Sequence, residues 1–239
     1  KRIFRKHKEV SDFWSSIIDE YFSSSLPKYE VLKKKNLTGR KIIWQYWGQG
    51  IDDNLPEVVE LCFSSIDKYK DEWIIIRLDD STISEYLEFP QFVYEKINND
   101  VFNKTFFSDL LRLALLKNYG GVWFDATIFL TGTIPNELAA LDYFMYQRDF
   151  NEDHKSFWKK SYAFYWNWND NFKVNVLNSI FFSQKNGYMV SVLLDLMLHY
   201  WATQVEVKDY FFFQILYDDL VKDPLIEERC KVISDVAPH

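Results

Sequence analysis

The segment SDLLRLALLKNYGGVWFDAT, residues 108–127, constrains the fold of this chain more than any other. At 100° per residue, Phe106, Phe107, Leu110, Leu111, Leu113, Ala114 and Leu115 cover most of a helical circumference. A helix apolar nearly all round is a buried one. Ser108, Asp109 and Arg112 share one narrow strip of it. Asp and Arg are seldom buried unless paired or used, and their i, i+3 spacing lets them meet. Gly120 and Gly121 permit a left-handed helix cap and a short turn into a strand. Asp125 then falls at the far end of that strand, the carboxyl end where open α/β sheets gather ligands. Two readings follow. The pair at 109 and 112 is either an internal ion pair tying helix to sheet, or part of a mixed-charge pocket with Asp125. Such a pocket suits a ribose, a sugar and a diphosphate, and its oxygen ligands favour Mg²⁺ or Mn²⁺.

Around this segment the periodicity alternates between strand and helix. Val10, Phe13, Trp14, Ile17, Ile18, Tyr21 and Phe22 carry the i, i+3, i+4, i+7 spacing of an amphipathic helix over 10–22. KIIWQYW (41–47) reads as a strand, Pro56 opens a helix over 57–69, and EWIIIRL (72–78) reads as a buried parallel strand. DDST supplies N-cap chemistry ahead of two short helices within 82–98. The central helix covers 105–118, and the strand after it breaks near Asp125. DYFMYQ (142–147) and SIFFSQ read as strands, 188–201 and 209–221 as helices. The expected class is α/β, with a mostly parallel sheet flanked by helices. Residues 1–40 form an N-terminal helical extension and 41–239 one domain.

Composition narrows the functional classes. Residues 1–40 hold ten Lys/Arg against five Asp/Glu, yet the 239-residue chain carries −7. An acidic body is a poor general nucleic-acid binder. The basic end KRIFRKHK can touch an anionic membrane surface or stand as a solvated tail. Two cysteines, Cys62 and Cys230, imply neither a disulfide framework nor a cysteine zinc site, which fits a reduced compartment. No Walker loop, GxSxG elbow or GxGxxG supports a kinase, hydrolase or dehydrogenase.

SDLLRLALLKNYGGVWFDAT resembles the core signature of glycosyltransferase 32-type sugar transferases, and more closely their bacterial capsular polysaccharide synthesis branch. KIIWQYWGQG, LPEVVELCFSSI and DYFFFQ fit that branch at compatible spacing, so the resemblance covers about residues 41–220. It implies a GT-A, Rossmann-like fold. It implies transfer of a hexose from a nucleotide-diphosphate sugar to a glycan or lipid-linked glycan, with retention of configuration and no established protein nucleophile. It places Trp44 near the base, Asp109 on ribose or sugar hydroxyls, and Arg112 on donor sugar or diphosphate. Asp125 becomes the first acid of an Asp-x-Asp motif and a metal ligand. The second acid is replaced by Thr127, a weaker neutral ligand, which puts Mn²⁺ or Mg²⁺ dependence in question. A cytoplasmic enzyme, peripheral at the inner membrane face through its basic end, is the implied setting. The rival reading is a non-catalytic nucleotide-sugar or glycan-binding subunit on the same fold.

Other residues carry two readings each. Trp44 and Trp47, three apart, point to opposite faces, so one can meet a ligand while the other packs. Gly121 is a candidate for close approach to substrate. Asn178 sits where related transferases keep an Asn near the sugar. Asp209 is an acceptor-side carboxylate or a helix cap. WNWNDNF (166–172) is a carbohydrate subsite or a self-packed loop. Lys104, Lys117, Arg148 and Lys185 are candidate helpers at the diphosphate, or plain surface charges. His239 is a tail metal ligand or a free end.

Overall fold

A computed structural model describes residues 2–239 apart from 53, 100, 101, 163 and 164. The helices are α1 (Arg2–Phe22), α2 (Glu57–Tyr69), α3 (Gln91–Asn98), α4 (Lys104–Tyr119), α5 (Asn136–Ala139), α6 (Lys155–Ser161), α7 (Tyr188–Thr203) and α8 (Phe212–Lys222). The strands are β1 (Leu32–Lys33), β2 (Ile42–Tyr46), β3 (Ile74–Leu78), β4 (Leu87–Glu88), β5 (Gly121–Phe124), β6 (Tyr143–Gln147) and β7 (Val176–Ser183). The chain divides into two compact units, one of Lys28–Phe144 and Ser179–Val205, the other of Lys1–Pro27, Met145–Asn178 and Glu206–His239.

Most of a five-stranded sheet of order β3-β2-β5-β7-β6 lies in the first unit. β2 runs parallel to both β3 and β5, but β7 runs antiparallel to β5. The sheet is therefore mixed, which corrects the mostly parallel expectation. The βα alternation that signals parallel pairing stops at β5. The chain from there to β7 is long enough to return in either direction, and the apolar run of β7 carries no sign of which. EWIIIRL also differs from expectation. β3 is parallel, as read, but it is an edge strand and most of it is partly exposed. All five residues of the interior strand β2 are buried.

α4 is buried on nearly every side and packs against α7, β2 and β5. Asn103 caps it by accepting from the Phe106 N–H at 3.1 Å. Gly120 closes it with φ +73° and an N–H bond to the Leu116 carbonyl. At Gly121, φ is +110° and an added Cβ would lie 2.2 Å from the Ile42 carbonyl oxygen. Glycine there lets β5 approach β2. β5 then ends at Phe124, and the chain turns through an Ile128 N–H to Asp125 carbonyl bond. That is the break read at Asp125.

In the second unit, α1 packs against α8, and Trp14 donates its indole N–H to the Phe212 carbonyl at 2.9 Å. α1 starts at Arg2, so the basic end is helix rather than a loose tail, with His7 buried on its inner face. Arg148 is buried and held bidentately by Asp235 at 3.1 Å. It also donates to the carbonyls of Tyr165, Asn167 and Val174, and its guanidinium lies over Trp166, Trp168 and Phe172. The WNWNDNF aromatics thus pack around a structural arginine, and Arg148 is not a helper at a diphosphate. His239 lies with its ring 5.3 Å from that of Trp166. No helix among the described residues is long and apolar enough to cross a membrane.

Candidate functional site

Three sequence-selected residues meet at the carboxyl end of β5. Arg112 Nη2 lies 3.0 Å from Asp109 Oδ1 and its Nη1 3.5 Å from Asp125 Oδ1. One turn of helix puts 109 and 112 on the same strip, and the end of β5 delivers Asp125 to them. Arg112 donates further to the carbonyl and hydroxyl oxygens of Ser108, and its guanidinium sits 5.1 Å from the Trp123 ring centroid. The indole N–H of Trp123 donates to Asp125 Oδ1 at 2.6 Å. One oxygen of Asp125 is therefore held by the indole hydrogen bond and paired with the guanidinium.

The three groups are not equally accessible. The side chain of Arg112 is 4% exposed and that of Asp109 10%, whereas that of Asp125 is 37% exposed. Beside Asp125 opens a hollow of about 180 Å³, walled by Tyr46, Trp47, Lys104, Ser108, Trp123 and Thr127 among others. Asp109 and Arg112 thus form a buried support behind Asp125, while Asp125, Thr127 and Ser108 face the opening. In this conformation Arg112 acts on the hollow through Asp125 and Ser108.

Lys104 brings the cation to the hollow itself. Its ammonium reaches Asp80 at 2.8 Å and the Gly48 carbonyl at 2.6 Å, with nearly half of the side chain exposed. Asp80 also accepts from the Tyr46 hydroxyl at 2.5 Å, and burial, first, together with that carboxylate pushes the Tyr46 phenol well above its ordinary value. Tyr46 is a neutral hydrogen-bond donor here. An added Cβ on Gly48 would lie 2.3 Å from that hydroxyl, so a larger residue there would displace the Tyr46–Asp80 pair.

Of the other candidates, Trp44 is fully buried, with its indole N–H on the Gly120 carbonyl at 3.0 Å and rings of Tyr86 and Tyr119 against it. It offers no open face. Trp47, the residue of opposite parity, lines the hollow instead. Lys117 and Lys185 lie at the other end of β5, away from Asp125, since Lys117 ends α4 and the Lys185 backbone packs against Gly120. Asn178 and Asp209 belong to the second unit. Asn178 is buried and accepts from Gln214 at 3.3 Å. Asp209 accepts the Phe211 N–H at 2.8 Å in a local turn ahead of α8, whose N-cap is Phe211 without a side-chain cap bond. The sequence left open which of Trp44 and Trp47 meets the hollow, and the place of Trp123 in its wall went unread. Strand parity from Asp125 back through Phe124 to Trp123 is the signal that marks Trp123.

Among the described residues no three His, Cys, Asp or Glu side chains cluster as a metal site. Oxygen donors at the hollow include the Asp125 carboxylate and the hydroxyls of Tyr46, Thr105, Ser108 and Thr127. A single carboxylate among neutral hydroxyls would leave most of the ligands of a divalent cation to be supplied from outside the protein.

A search of curated proteins returns no match. Among matching solved structures is a "PaToxG Glycosyltransferase", 16% identical over 95% of this chain and 83% of that one, with a TM-score of 0.42. Overlap at that level leaves the site to be read from its own residues. The sequence matches the capsular polysaccharide synthesis protein family across residues 1–239, and the chain belongs to that family.

Proposed function

We propose that the protein is a glycosyltransferase that moves a hexose from a nucleotide-diphosphate sugar to a glycan or lipid-linked glycan acceptor, with retention. The observation that carries this reading is the chain Asp109–Arg112–Asp125, running from the buried helix to a hollow at the carboxyl end of a strand. Family membership supplies the polysaccharide context. In this reading residues 41–239 are a GT-A transferase domain of glycosyltransferase 32 type, residues 1–40 are its helical extension, and Asp125-Ala126-Thr127 is a variant Asp-x-Asp motif. The reaction belongs on the cytoplasmic side, where the basic face of α1 can meet the membrane.

The chemistry follows from charge. Cleaving a sugar–phosphate bond builds negative charge on the departing diphosphate, and fixed cations and N–H or O–H donors must meet it. Lys104 is the cation open to the hollow, and Ser108 and Thr127 hydroxyls are donors beside it. Trp47 offers an apolar wall for a base or sugar face. Arg112 helps hold Asp125 oriented. A divalent cation held by Asp125 and Thr127 would neutralise diphosphate charge when bound. Asp125 and Asp109 are not assigned as nucleophiles, since Arg112 engages both.

The test is a panel of uridine and guanosine diphosphate sugars, with and without Mn²⁺, scored for released nucleoside diphosphate. Turnover of one donor that Asp125→Asn abolishes supports the assignment. Tight binding of a donor without release or transfer identifies a non-catalytic binding subunit instead.

A further inference from the structure

A second cavity, of about 310 Å³, opens at the amino end of β5, bounded by the segment Lys33–Lys41, the Gly120–Gly121 turn and the Ser183–Lys185 turn. Strand geometry separates it from Asp125 by roughly 16 Å, at about 3.3 Å per residue. It is unlike the rest of this acidic protein. Five cations line it: Lys33, Lys35, Arg40, Lys41 and Lys185. Lys35 and Lys41 are paired with Glu85 and Glu72. Among the described residues no carboxylate lies within ion-pair distance of Lys33, Arg40 or Lys185. Lys33 and Lys185 stand so close that the Lys33 ammonium, by charge repulsion and then by direct side-chain contact, pushes Lys185 below the ordinary lysine value. Two free ammonium groups drawn together in water repel, and an anion between them turns that repulsion into attraction. Trp73 and Tyr119 give the cavity firm aromatic walls.

We propose that this cavity is a binding site for a phosphate monoester or diphosphate group, separate from the donor site. Three unpaired cations exceed what one carboxylate neutralises, whereas a phosphate monoester carries about −1.5 to −2. The group can belong to a free phosphate compound or to a lipid headgroup.

Calorimetry with inorganic pyrophosphate, and co-sedimentation with phosphatidylcholine vesicles with or without phosphatidic acid, separate the two sources. The variants are the double Lys33→Gln/Lys185→Gln and, as a control for the donor site, Lys104→Gln. Both lysines of the double variant are exposed, and unchanged melting confirms its fold. The expected result is binding of at least one phosphate probe that weakens at least tenfold in the double variant and persists in Lys104→Gln. Loss confined to pyrophosphate identifies a free phosphate ligand, and loss in the phosphatidic acid arm identifies a headgroup. Absence of binding by the wild type, or equal binding by wild type and double variant, overturns the proposal.

Discussion

Arg112 is a buried cation between two carboxylates, and its position separates stability from chemistry. Removing one partner of a buried ion pair leaves the other uncompensated and costs about 3–5 kcal/mol. Arg112→Ala is expected to lose about that much in urea denaturation, with Asp109 left in the interior. Asp125 is different, because its side chain is 37% exposed. Pairs of that kind contribute about 1 kcal/mol or less, so Asp125→Asn should melt close to the wild type while losing sugar transfer. A large stability loss in Asp125→Asn would make the carboxylate a structural element only. The meeting of 109, 112 and 125 was legible from helix spacing and the Gly-Gly turn. Their unequal exposure was not, because a helical wheel gives direction and not depth. Trp44 shows the same limit. Parity separated Trp44 from Trp47, but β2 is buried on both faces and ends at Tyr46, so Trp47 reaches the hollow because it lies just past the strand.

The turn from α4 into β5 sets the geometry that residue-scale contacts depend on. Gly121→Ala forces an L side chain to φ +110° and drives its Cβ toward the Ile42 carbonyl. The expected cost is about 1–3 kcal/mol from backbone strain alone, measured as a lower denaturation midpoint. Gly132, which has open space around it, is the control, and Gly132→Ala should be nearly silent. Helices were the most legible elements. α2 falls where Pro56 and the apolar spacing put it, and α4 and α7 extend their predicted spans by one or two residues at an end. The two-residue strands β1 and β4 carry too few residues to show alternation. Strand direction in β7 was invisible for a related reason, since a run buried on both faces has no period to read.

At the scale of the whole molecule, pH couples to folding through His7 in the second unit. Burial, the largest cause, lowers its pKa, with Asp209 and Asp218 opposing and Lys173 assisting. Its Nδ1 accepts the Lys173 backbone N–H at 3.2 Å, which requires that nitrogen unprotonated. The unfolded chain then binds a proton at a pH where the folded one does not. Stability is full above the unfolded value of about 6.5 and falls as pH drops through the lowered folded value. Melting temperatures measured from about pH 7.5 to 5.5 should decline, and His7→Gln should flatten that slope. Asp219 and Asp235, raised chiefly by burial, act with the opposite sign at lower pH, where they favour the folded chain. The α/β class was legible from the order of periodic segments, but the division into two units was not. The second unit gathers three separated stretches of chain, and no local signal announces a contact between residues as distant as Ser11 and Asp219. The central claim, that the hollow beside Asp125 receives the donor's diphosphate, is tested most directly by calorimetry. Uridine and guanosine diphosphate are titrated into the wild type and Lys104→Gln. Loss of a charge-assisted contact worth about 1.5–3 kcal/mol predicts affinity for the preferred nucleotide falling roughly 10- to 100-fold, with the melting temperature little changed. Equal affinity in the two proteins would contradict the placement of the diphosphate in that hollow.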